Sequence, residues 1–172
     1  MNLSIVDLDG FRRKVRADTQ WREWAAARDF TYQDEAPELL GVWFPVFDGM
    51  ERYVHVIGGQ WLGLGFWAFS RGTWNKKILK QGGHTWLVNA HMFLQLPGAL
   101  PPEILDMQPN KAFELLGGKM STAFDFSYRG ADWLEGRRSH MSPELLEGAL
   151  QNLALQINAA PAELWAARPT SR

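Results

Sequence analysis

The sequence predicts an α+β fold. It reads as one domain built on a mainly antiparallel sheet of about four to six strands, packed by an N-terminal and a C-terminal helix. Three observations carry this reading. Strand-like runs follow one another from Tyr53 to Leu96 with no helical pattern between them, so no parallel crossover unit is present. Helical spacing, with apolar residues three and four apart, occurs after Thr19 and again after Ser142. The 172 residues, 46% of them apolar, suit a single core.

The elements follow in order. Thr19 to Asp29 reads as a helix with Thr19 as N-cap and Trp21, Trp24, Ala25 and Arg28 on one face. A helical turn is expected before it at Phe11–Arg16, and a short helix at Pro37–Leu40 ended by Gly41. Tyr53–Ile57 is a strand. Gly58-Gly59 then reads as the turn of a hairpin, because a type I′ turn needs positive φ at both central residues. Gln60–Phe69 is the return strand, apolar on both faces and hence central. Ser70–Gly83 reads as a polar connection whose Ile78-Leu79 dips to the core. His84–Leu96 is a long strand that turns Ala90, Met92 and Leu94 to the core and Asn89, His91 and Phe93 away from it.

Ile104–Met107 reads as a short strand, Pro109–Leu116 as a short helix, and Ala123–Tyr128 as a strand with Phe124, Phe126 and Tyr128 on one side. Asp132–Ser139 reads as a short helix. Ser142 caps the last helix, with Pro143 at its first position and Leu145, Leu146, Ala149, Leu150 and Leu153 as the apolar stripe. Leu155–Asn158 reads as a final strand. Residues 1–8 and 168–172 are expected to fray.

The segment Trp24-Ala25-Ala26-Ala27-Arg28-Asp29-Phe30 resembles the opening helix of a mostly actinobacterial protein family of unknown function. In that family an Ala-Ala-Arg helix end runs into an aromatic residue, then a Pro-x-Leu-Leu segment and an aromatic hairpin. The runs Phe93-Leu94-Gln95-Leu96-Pro97-Gly98-Ala99-Leu100-Pro101, Phe124–Tyr128, Ala131-Asp132 and Met141–Leu146 carry the same likeness, over about residues 24–150. It implies a shared α+β fold and no chemistry, so no functional residue is carried over. The chain departs from that pattern in its tryptophan content and in the basic stretch 71–80.

Composition excludes several chemistries. With no cysteine, disulfides, thiolate zinc sites and cysteine nucleophiles are impossible, and a cytoplasmic setting is the expectation. The longest apolar run, Trp61–Phe69, is far short of the roughly 20 residues of a spanning helix, so no transmembrane segment is expected. The formal net charge of -1 argues against a dedicated nucleic-acid protein. No phosphate-loop or dinucleotide motif occurs and the histidines lack metal-ligand spacing, so no cofactor or metal is expected.

Two groups of residues remain. His55, His91 and Asp125 are the candidates for acid–base chemistry, as in a small hydrolytic enzyme using a His/Asp cluster of the central sheet. The plainer reading makes the histidines half-buried sheet residues and Asp125 a solvent-facing one. The second group is Arg71, Trp74, Lys76, Lys77 and Lys80, which joins positive charge to an aromatic face. No acidic residue lies between Glu51 and Glu103 to offset it. Its plainer reading is a solvated loop, and the other five tryptophans with a clear placement, Trp21, Trp24, Trp61, Trp67 and Trp86, read as core. The preferred function is a non-enzymatic module that binds a protein or a small anionic ligand, with self-association left open. Attachment of loop 71–80 to an anionic membrane or nucleic acid is the further alternative.

Overall fold

A computed structural model describes residues 18–36, 51–74, 86–115, 118–119 and 124–165. The expected turns at Phe11–Arg16 and Pro37–Leu40, the segment 75–85 and the chain ends lie outside these residues. The fold is α+β. Six strands form one antiparallel sheet, β1 (Thr31–Glu35), β2 (Glu51–Trp61), β3 (Leu64–Trp74), β4 (Trp86–Gln95), β5 (Asp125–Arg129) and β6 (Trp133–Arg138). Their spatial order is β1-β2-β3-β4-β6-β5. The helix α1, residues 18–26, and α4 (Pro143–Ala159) pack on one face of this sheet. Two short helices, α2 (Pro102–Leu105) and α3 (Pro109–Leu115), lie between β4 and β5.

Helix α1 buries Trp21, Trp24 and Ala25, the face that the spacing predicts. Thr19, expected as its cap, already lies inside it. The helix ends in a Schellman motif. Phe30 N–H donates to Ala25 O and Asp29 N–H to Ala26 O, with Asp29 at φ 56° in the position usually given to glycine. Helix α4 begins at the expected cap, where the Leu145 N–H donates to Ser142 Oγ at 3.3 Å. Its buried stripe is Leu146, Ala149, Leu150, Leu153, Ala154 and Ile157, while Leu145 is exposed. Residues 155–158 continue this helix rather than forming a strand, because Ile157 extends the same stripe. Glu147 ties the two helices together by accepting from Trp24 Nε1 at 2.9 Å and from Arg28 Nη2 at 2.7 Å.

Three other expectations are corrected. First, the β2–β3 turn lies at Leu62-Gly63, both at positive φ, and not at Gly58-Gly59. The two glycines are strand residues that make room for rings. A Cβ on Gly58 would stand 2.7 Å from the Trp67 indole, and one on Gly59 would stand 2.5 Å from the Phe30 ring. Second, residues 133–138 form a strand, not a helix, and it sits between β4 and β5. Gly130, at φ 64°, turns the chain from β5 into it, and Gly136 lets Phe126 and Met92 close over the backbone. Third, residues 102–105 are helical, with Pro102 opening the turn, where a strand is expected at 104–107.

The main core lies between the sheet and the helices. Ile57, Phe66, Ala68, Met92, Leu94 and Leu134 meet Trp21, Trp24, Leu146, Leu150 and Leu153 there. A second, smaller cluster of Tyr53, Val56, Phe69 and Phe93, with Trp133 against it, lies on the opposite face. Among the described residues no helix is long and apolar enough to cross a membrane.

Candidate functional site

The side chains on that opposite face follow from strand alternation and register. Across β3, β4, β6 and β5, one row runs Phe69, His91, Arg137, Asp125. The next runs Trp67, Phe93, Glu135, Ser127. Arg71 and Asn89 pair at one end, and Trp133 and Arg129 at the other. Apolar residues fill the β3 side, and polar ones fill the β6–β5 side. Where the polar rows meet, they enclose a cavity of about 320 Å³. Three guanidinium groups line it, from Arg71, Arg129 and Arg137, together with Asn89, His91, Ser127 and the carboxylates of Asp125 and Glu135.

Glu135 organises the floor of this cavity. It is 3% exposed, as is His91. Its Oε1 lies 2.9 Å from His91 Nδ1, a diagonal contact between adjacent strands. Its Oε2 accepts from Ser127 Oγ at 3.3 Å and from Arg129 Nε. Burial pushes the Glu135 carboxyl up. The hydrogen bonds from His91 and Arg129, with the Arg129 charge beside them, together outweigh that and hold it below the usual carboxylate range. An ionised carboxylate only accepts, so the His91 proton sits on Nδ1. The imidazole lies along the Phe69 ring at 5.6 Å and 29°, which fixes its plane.

Three residues singled out from the sequence therefore meet in one place. His91, Asp125 and Arg71 all line the cavity, although the sequence pattern sets His91 and Asp125 in one group and Arg71 in another. Arg71 belongs to strand β3, not to a loop, and the backbone of Trp74 also lies in β3, opposite Trp86. Lys76, Lys77 and Lys80 lie outside the described residues.

His55 stands apart. It sits at a bulge in β2, at φ 53°, where the register with β3 shifts. Its Nδ1 is 3.1 Å from the Tyr32 hydroxyl, its Nε2 is 3.4 Å from Asp18, and its ring stacks on Trp21. Hydrogen bonds from Tyr32 and Arg22 hold the nearby Asp34 carboxyl below the usual range. Trp67, expected in the core, is 37% exposed and covers Gly58.

The chain matches no family model, no curated protein and no solved structure.

Asn89, Ser127, Arg129, Glu135 and Arg137 are the site residues that sequence reasoning missed. Ser127 and Arg129 were within reach, because they continue the facing of Asp125 along β5. Glu135 and Arg137 were hidden by reading 132–139 as helix. As a strand, Trp133, Glu135 and Arg137 alternate with Leu134, Gly136 and Arg138 and fall directly beside His91. Among the described residues no three His, Asp or Glu side chains are grouped to hold a metal ion.

Proposed function

We propose that this domain is a binding module for a small anionic organic molecule, taken into the cavity between β3, β4, β6 and β5. The observation that carries this reading is the convergence of three guanidinium groups, a histidine and two neutral donors on one cavity. Guanidinium forks suit carboxylate and phosphate oxygens. Asn89 and Ser127 add donors that fix orientation, and the volume suits a compact metabolite-sized ligand.

The hydrolytic alternative has one observation in its favour. The His91–Glu135 hydrogen bond resembles a base held by its orienting carboxylate. Against it, the Ser127 hydroxyl, which lines the cavity among the described residues, donates to Glu135. Binding is therefore the reading preferred.

The test is a thermal-shift series with phosphate, sulfate, citrate and phosphorylated sugars at fixed ionic strength. Binding to the folded state raises the melting temperature in proportion to RT ln(1 + [L]/Kd). Stabilisation by at least one anion, lost in Arg137→Gln, is the expected result. No stabilisation by any anion, or an unchanged response in the variant, would sink the proposal.

A further inference from the structure

We infer that the cavity takes an acid with a hydroxyl or ammonium group on the carbon next to its carboxylate, and that Asp125 accepts from that group. The inference rests on the reading of the cavity as an anion site and names the class of its ligand.

The two carboxylates of the cavity are not alike. Glu135 is buried and accepts from His91, Ser127 and Arg129. Asp125 is exposed on β5 and lines the same cavity. Among the described residues Asp125 makes no hydrogen bond or ion pair, and the same holds for Arg137 and Asn89. These three side chains therefore bring uncommitted polar atoms to the cavity.

Their placement follows from the register. Asp125 stands directly across from Arg137 on the neighbouring strand. Such a pair has its Cβ atoms about 5 Å apart, yet the carboxylate and the guanidinium do not pair with each other. His91 stands across from Arg137 on its other side, in β4, and Asn89 lies on the same face of β4 two residues earlier. A cationic donor and an anionic acceptor thus stand side by side, each unsatisfied by the other. They suit a ligand that is itself acceptor and donor over the same short span.

Arg137 can take a carboxylate through two parallel N–H···O bonds. With its carboxylate there, a ligand has its next carbon beside Asp125. An ionised carboxylate only accepts. A bare anion meets repulsion at that point, whereas an N–H or O–H on that carbon makes a hydrogen bond. In α-amino and α-hydroxy acids both groups hang from one carbon. Asp125 is then the residue that sets specificity, attractive to one class of acid and repulsive to the other. Asn89 offers a donor and an acceptor to the rest of such a molecule.

Succinate, malate and aspartate test this. All are dicarboxylates of the same length, and they differ at one carbon, which carries hydrogen, hydroxyl or ammonium. Isothermal titration of the intact chain at neutral pH and fixed ionic strength reads the affinities. Malate, at the same charge as succinate, is expected to bind about tenfold more tightly, the worth of one hydrogen bond to a charged group. Aspartate is expected to exceed succinate by at least about tenfold, although its net charge is smaller. Asp125→Ala should abolish both preferences and leave succinate unchanged or tighter. Asp125→Asn keeps the shape and one acceptor without the charge, so it should retain part of the malate preference and lose that for aspartate. A preference for malate alone assigns the hydroxy acids, and one for aspartate alone the amino acids.

Succinate binding as tightly as malate and aspartate would overturn the inference while leaving the anion site standing. A preference that persists in Asp125→Ala would overturn it too, by placing the acceptor elsewhere. If none of the three binds while an inorganic anion still stabilises the fold, the anion site stands and the inference fails. If all three bind equally well to Arg137→Gln, or no anion binds at all, the anion site itself fails and the inference falls with it.

Discussion

Replacing Glu135 by glutamine is the sharpest test of the polar floor. The carboxylate accepts three hydrogen bonds from within a nearly solvent-free position. Glutamine keeps the shape and one acceptor, so the His91 contact survives in neutral form. That downgrade costs about 1 kcal/mol. The amide cannot accept from both His91 and Arg129, and Arg129 is 44% exposed, so its loss adds less than about 1 kcal/mol. The expected total near pH 7 is about 1–2 kcal/mol, or a fall of about 0.5–1 M in the urea midpoint. The pH dependence has a definite sign. Glu135 titrates lower in the folded chain than its ordinary 4.5, so its contribution is present above that value and is lost as pH falls through the folded one. The gap between wild type and variant should therefore narrow as pH falls below 4.5. Urea melts at neutral and acid pH read this directly. A gap below about 0.5 kcal/mol at neutral pH, or one that stays constant on acidification, would refute the account of Glu135 as an ionised hub. The apolar double variant His91→Phe/Glu135→Leu should come within about 1 kcal/mol of wild type, because a buried pair removed whole costs little. His91→Phe alone should cost about 3 kcal/mol, because it takes the donor from Oε1 of the buried carboxylate.

Other elements carry their own expectations. Leu62→Asn creates an Asn-Gly turn at the two positive-φ positions and should stabilise the hairpin by about 0.5–1 kcal/mol in thermal melts; a loss would mean that the Leu62 side chain holds the turn. Gly59→Ala drives a methyl into Phe30, which is wedged against Trp24, Trp61 and Phe66, and should cost about 1–3 kcal/mol. Ser142→Ala removes the cap of α4 and should cost about 1 kcal/mol by denaturant melt. Iodide should quench Trp67 before Trp21 and Trp24, and Trp67→Phe should remove that accessible fraction of the fluorescence.

Much of the fold was legible because periodicity reports burial on one side of an element. The α1 face, the Ser142 cap and the alternation of β4 all state which side meets the core, and each appears as its pattern implies. The misreadings at 58–59 and 133–138 share one physical cause, which is that a glycine's role depends on what lies across from it. Gly58-Gly59 looks like a turn until Trp67 and Phe30 are known to lie over it. Gly136 and its polar neighbours look unlike a strand until Phe126 and Met92 are seen to need the space. Such contacts join residues distant in sequence, and no local pattern encodes them.

The site was legible in its residue types but not in its assembly. His91 and Asp125 stand out as titratable residues on strands, and Arg71 as a cation in a stretch without acids. Only the order β4-β6-β5 brings them together, because β6 enters between two strands that precede it in sequence. That insertion also supplies Glu135, without which His91 would be one more half-polar strand residue. The helices occupy the face where the apolar alternation is continuous, so the polar alternation of β4, β5 and β6 falls on the other side. The buried carboxylate lies on the far face, beside the smaller apolar cluster of Tyr53, Val56, Phe69 and Phe93. On the proposed binding function, the three-way bonded glutamate beneath the arginine-lined cavity is the device that holds His91 and Arg129 in place.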